Sequence, residues 1–171
     1  MHAQVQNKDE SSPYASTEHS YRAFAWWGSE KTGLARTDSA PNAIHFTAPP
    51  QFGGMQGRWT PEDLLLAAIA SCYTTSFRAI AEYSKLKYLD LGVEVEGKVR
   101  KADQGYSFGD FMIRPTLTIE DAKDESKAAR LLEKAKTACL VSRALVEEPA
   151  FEPQVRVASA RMSPELTEVT A

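Results

Sequence analysis

A chain of 171 residues with net charge −3 and an isoelectric point near 5.7 can bury a sizeable core, but has no basic footprint for nucleic acid or anionic membrane. No apolar stretch reads as long enough to span a bilayer, and the opening residues lack the apolar core of a secretory signal. The expected setting is cytoplasmic, where two cysteines are thiols unless they do redox work.

Residues 1–18 are polar and contain Ser11-Ser12-Pro13, so they read as a loose N-terminal arm. Alternation and aromatic richness over residues 19–28 predict a strand ending at Gly28. Residues 33–39 and 42–48 are shorter strand candidates around a Ser-Ala-Pro-Asn turn, and the three together predict an antiparallel meander. The breaker cluster 49–57, PPQFGGMQG, reads as a loop.

A strong helix start follows. Thr60 can cap, Pro61 suits the first helical position, and Glu62 and Asp63 favour the positive helix end. From Leu64 to Tyr73 only Ser71 is plainly polar, so this helix, extending to about Leu86, is expected to be buried nearly all round. Val93, Val95 and Val99 alternate with charged residues in a strand over 91–103. A second strand over 111–120 completes a hairpin with a longer loop, and Pro115 suggests an edge or a bulge. Residues 124–148 return to helical spacing, as one helix or as two with a break near Cys139. Ala128, Leu131, Leu132, Ala135, Ala138 and Cys139 fall on one side of it. A strand over 153–161 closes the chain and residues 163–171 read as a tail. The order β-β-β-α-β-β-α-β predicts an α+β domain over 19–162, with antiparallel sheets packed on a buried central helix.

The chemistry rests on Cys72 and Cys139, 67 residues apart, a spacing that matches no zinc pattern. Cysteine is often a small core hydrophobe, so packing is the plain reading of both. The redox reading makes one the attacking thiolate and the other the thiol that resolves a sulfenic acid as a disulfide. His2, His19 and His45 are scattered, so no metal and no cofactor are expected; the glycines of FGGMQG lack phosphate-loop spacing and read as a turn. Lys134, Lys136 and Arg143 read as a solvated face, with the capacity to acidify a neighbouring thiol.

The segment FGG…TPEDLLLAAIASC, followed by ACLVSRAL, resembles the family of osmotically inducible protein C and organic hydroperoxide resistance proteins (OsmC/Ohr). That family has a Pro-Glu at the start of a buried central helix, a Cys ten residues after the Glu, and a second Cys in a Cys-Pro-x-Ser-like stretch. Here these fall on Pro61-Glu62, Cys72 and Cys139-Leu140-Val141-Ser142, and the likeness covers about residues 20–160. The resemblance implies an intertwined homodimer. It also implies reduction of organic hydroperoxides by Cys72, with Cys139 resolving and a lipoyl-type dithiol as reductant. Leu140 replaces the family's proline. The arginine that pairs with the Glu is replaced by Lys31 at one of its two usual positions and by Phe52 at the other. Arg58, the nearest arginine to Glu62, is the candidate replacement and Lys31 the second, although an ammonium lacks the guanidinium fork. A thiol set in apolar packing and met by a carboxylate and a cation suits a peroxide with a polar end and a greasy tail. The alternative is a non-enzymatic stress or small-molecule-binding protein whose thiols are packed or vestigial.

Helix geometry adds an expectation of its own. Ten residues separate Glu62 from Cys72 by about 15 Å along one helix axis and about 80° around it. A shared site would therefore take Glu62 from another chain, whereas the plain alternative leaves Glu62 only favouring its helix N-terminus.

Overall fold

In a computed structural model the described residues are 18–28 and 30–158. The tail at 163–171 and all but the last residue of the arm lie outside them. The chain falls into two compact units, divided between Trp59 and Thr60.

The first unit is the expected meander. Strands β1 (Ala23–Trp27), β2 (Gly33–Thr37) and β3 (Ile44–Phe46) pair antiparallel in that order. Cross-strand pairs set Phe24 against Arg36 and Trp26 against Leu34. Phe24 stacks on Trp26, and the Arg36 guanidinium lies 5.4 Å from the Trp26 ring. The breaker cluster contains one short 3-10 turn, Pro50–Phe52, closed by Gly53 in the left-handed region.

The second unit is built on α1 (Pro61–Tyr83), and its start matches the sequence signals. Thr60 caps the helix and, with Asp63, forms a reciprocal capping box, while Pro61 occupies the first turn. β4 (Asp90–Ala102) and β5 (Gly105–Ile119) form a long antiparallel hairpin. The loop expected between them is replaced by a tight turn at Asp103-Gln104, because Gly105 adopts φ +116 and lets Tyr106 pair at once with Lys101. The register shifts between Glu96 and Lys98, at Gly97. A Cβ there would come within 2.7 Å of the Phe108 ring, so glycine lets the aromatic pair Phe108–Phe111 sit over the bulge.

Pro115 proves to lie in a central strand, since β5 carries β4 on one side and two short parallel strands, β6 (Ala150–Phe151) and β7 (Gln154–Val157), on the other. The Ile113 carbonyl accepts from Glu152 N–H on that second side, so Pro115, two residues on, points the same way. Its missing N–H faces the gap where β6 has ended and β7 has not begun. β6 itself is two residues long, too short for alternation to reveal.

Between β5 and β6 run α2 (Glu125–Ala138) and α3 (Leu140–Arg143), so the long helical stretch is two helices broken at Cys139. The core joins one stripe of α1 (Ile69, Tyr73, Phe77, Ala81), alternate residues of β5 (Ile113, Leu117, Ile119) and one stripe of α2 (Ala128, Leu132, Ala135) with Cys139. Ala138 is exposed, off the stripe on which 128, 132, 135 and 139 recur. Inside this core the Tyr73 hydroxyl donates to the Leu132 carbonyl at 3.0 Å. Each fully buried Leu or Ile contributes about 1.5–3 kcal/mol.

Within the single chain, Leu64, Leu65, Leu66, Ala67 and Ala68 of α1 are only half-buried. Contrary to the sequence expectation, α1 is long and apolar enough to span a bilayer, with a mean hydropathy of 1.4. Its buried stripe nevertheless packs on β5 and α2 as a core helix does.

Candidate thiol site

Both cysteines are free thiols, and the fold brings them together from two different helices of the second unit. Cys72 lies in the middle of α1, half-buried, one turn beyond the buried Ile69. Cys139 ends α2, and its backbone turns extended (φ −68, ψ 106) before α3 resumes at Leu140. This extended conformation is what a following proline would impose. The chain reaches it with leucine at position 140, so loss of the family's proline does not cost the break.

The break aims several groups at one turn of α1. The Cys139 thiol is fully buried and lies 4.0 Å from the Ile69 carbonyl, to which it can donate. Two residues on, the Val141 N–H donates to Cys72 Sγ at 3.5 Å. The Ser142 hydroxyl, itself buried, donates to the Cys139 carbonyl at 3.2 Å. Burial pushes the Cys139 thiol above its ordinary pKa; hydrogen bonding with Ser142 acts against this, and the adjoining Cys72 adds to it. Val141 and Ile69 act through the backbone, which no side-chain motif advertises; Ser142 stands in the Cys-x-x-Ser spacing and was open to view.

Of the remaining sequence candidates, Glu62 stands on α1 and two cations belong to the first unit. Glu62 stands in the first turn of α1, ten residues before Cys72, so the continuous helix holds them about 15 Å apart along its axis. Asp63, not Glu62, completes the capping box, and Glu62 Oε2 is buried with no hydrogen-bond partner among the described residues. Arg58 and Lys31 both belong to the first unit. Arg58 is exposed. Lys31 and its neighbour Glu30 adopt left-handed φ values of 66° and 67°, a strained choice for residues with a Cβ. The Lys31 carbonyl is fixed by the buried Thr47 hydroxyl at 2.7 Å.

Among the described residues no cluster of His, Cys, Asp and Glu is placed to hold a metal ion. A cavity of about 480 Å³ opens between the end of α2, α3 and the chain before β6. Ile113, Ser142 and Pro149 line it together with Lys136, which is paired with Glu148 at 2.8 Å; neither thiol does.

Comparison with known proteins gives one consistent answer. The family model for OsmC-like protein matches residues 54–154. The uncharacterised protein YmaD of Bacillus subtilis (strain 168) is 28% identical over 131 residues, covering 75% of this chain and 87% of that protein. A solved organic hydroperoxide resistance protein OsmC from Legionella pneumophila superposes with a TM-score of 0.67 at 22% identity, covering 83% of this chain and 100% of the other. An OsmC-like protein of unknown function from Vibrio cholerae gives a TM-score of 0.69 at 15% identity, covering 81% and 99%.

Proposed function

Because the chain belongs to the OsmC-like family, we propose that it is a thiol peroxidase that reduces organic hydroperoxides. The observation that carries this reading is the meeting of two thiols in unequal surroundings: Cys72 half-buried and receiving an N–H, Cys139 sealed and facing a carbonyl. In the proposed cycle the Cys72 thiolate attacks the outer oxygen of ROOH and the O–O bond breaks. The alkoxide takes a proton and leaves as ROH, and Cys72 is left as a sulfenic acid. The Cys139 thiol then attacks that sulfur, the S–S bond forms and water leaves. A dithiol reductant of the lipoyl type supplies two electrons and two protons to restore both thiols, and closes to its own disulfide.

The reading includes a homodimer and a shared site. Support for it comes from the half-buried leucines of α1 and from the buried, unpaired oxygen of Glu62. A second copy of α1 running antiparallel past the first would cover the former and bring its Glu62 to this Cys72. Arg58 is proposed to supply the cation that keeps a useful thiolate fraction, with Lys31 as the second candidate. Thiols that cycle in this way suit a cytoplasmic setting. A second reading, a binding protein with idle thiols, is favoured by Phe52 at a position where the family carries arginine.

Stopped-flow consumption of cumene hydroperoxide with dihydrolipoamide separates the two. Saturable turnover that vanishes on Cys72→Ser is expected. Absence of turnover in the reduced wild-type protein would leave only the binding reading.

A further inference from the structure

We infer that the main-chain amide of Val141 is a working part of the thiol site: it donates to Cys72 Sγ and holds that sulfur as the thiolate. The inference rests on Cys72 being the attacking thiol of the proposed cycle.

The geometry is specific. Cys139 leaves the helical conformation, and the next residues start a new turn whose first ladder bond runs from Arg143 N–H to the Cys139 carbonyl, at 3.2 Å. The Val141 N–H therefore has no carbonyl four residues back to satisfy it, and it faces the sulfur at 3.5 Å instead. A neutral thiol is a weak acceptor, whereas a thiolate is a strong one, and a hydrogen bond to a charged partner is about twice as strong as a neutral one. The bond therefore favours the charged form of Cys72 over the neutral form. The same break turns the Cys139 thiol to Ile69, so its S–H is engaged by a carbonyl while the amide serves the other sulfur. One kink thus gives each sulfur the partner that suits a different protonation state.

The amide is also placed to remain useful after attack. Once Cys72 carries oxygen, the same donor faces a group with stronger acceptor atoms. It would fix the sulfenic acid on the side from which Cys139 approaches.

Two measurements test this in the Cys139→Ser protein, in which Cys72 is the only cysteine. The first follows the ¹⁵N–¹H signal of Val141 through the pH range in which Cys72 is alkylated by iodoacetamide. The Val141 proton should move downfield with the same midpoint as alkylation, by more than any other amide of α3. A flat Val141 signal across that midpoint would overturn the inference. The second compares two adjacent proline variants. Leu140→Pro fits the extended Cys139 already present and keeps the Val141 N–H, whereas Val141→Pro removes it. The alkylation midpoint should rise by about one pH unit or more in Val141→Pro and stay in place in Leu140→Pro. Equal midpoints in the two folded variants would also overturn it, and if Val141→Pro does not fold the first measurement decides alone. Peroxide turnover enters neither readout. The peroxidase reading can therefore fail with this one intact, and a flat titration can remove this one and leave the peroxidase.

Discussion

Two sulfurs that meet at one turn of α1 sit in opposite surroundings. Cys139 is fully buried among Ile69, Tyr73 and Leu132 of the core and faces a carbonyl oxygen, so its thiol favours the neutral state. Cys72 is half-buried and faces an N–H. The comparison teaches that in the proposed cycle the roles would follow from surroundings, since the residue type is the same. A nucleophile has to be reached by substrate and be ionised, while a resolving thiol only has to be close.

The largest expected effect breaks the pair one sulfur at a time. Cys72→Ser should abolish consumption of cumene hydroperoxide. Cys139→Ser should leave one turnover and a sulfenic acid on Cys72, which dimedone labelling and intact mass would detect. Equal loss without any trapped sulfenic acid in Cys139→Ser would mean that the two roles are not divided in this way.

Next in size is the cation. If Arg58 sharpens the difference between the sulfurs by favouring the Cys72 thiolate, Arg58→Ala should slow peroxide reduction about tenfold, equivalent to about 1.4 kcal/mol in the barrier. The stopped-flow rate constant with cumene hydroperoxide is the measurement. An unchanged Arg58→Ala alongside a slowed Lys31→Ala would transfer the role to the residue held in the strained β1–β2 connection.

A smaller effect, a factor of two, concerns Glu62. Inactive Cys72→Ser subunits mixed with inactive Glu62→Ala subunits should regain one intact site out of two if the carboxylate serves the thiol of the other chain. The fully exchanged heterodimer should then reach about half the wild-type rate per dimer. Proven subunit exchange with no recovered turnover would rule the shared site out, and a Glu62→Ala homodimer that stays active would leave the carboxylate serving only its own helix end.

Much of this arrangement was legible in the sequence, and the reasons can be traced to particular residues. Thr60, Pro61 and Asp63 announce the start of α1 because capping is local chemistry. The valines of β4 announce a strand because alternation is local as well. The pairing of β6 and β7 with β5 was not legible: two- and four-residue strands carry too little pattern, and parallel partners are chosen by the helical crossover rather than by a turn. At the site the two cysteines and Glu62 stood out as residue types. Only the family resemblance gave the two thiols different roles; the surroundings that distinguish them, a backbone kink at Cys139 with one amide and one carbonyl, carry no residue-type signal. A break near Cys139 was one of two readings of residues 124–148, because the helical periodicity of α2 runs up to Cys139 and does not choose between them.

The smallest expected effect is on stability at alkaline pH, and it tests the Cys139 side of the comparison without any catalysis. Burial raises the Cys139 pKa in the folded, reduced protein above its value in the unfolded chain. The folded state therefore holds its proton more tightly between those two values. This contribution is complete below the ordinary cysteine value of 9.0 and is lost as pH rises through the higher folded value. Tyr73, raised above its ordinary 10.0 chiefly by burial and then by Glu133 and Cys139, acts in the same direction at higher pH. Thermal melts of reduced wild-type protein should thus fall more steeply above about pH 9 than those of Cys139→Ala, whose own loss is a nearly pH-independent cavity cost. Cys72→Ala gives the contrast. It should keep most of the wild-type slope, because burial, the largest cause of the shift, remains and only the smaller contribution of Cys72 is lost. Parallel alkaline slopes for wild type and Cys139→Ala would mean that the sealed sulfur ionises as freely in the fold as outside it, and the asymmetry between the two thiols would lose its electrostatic half.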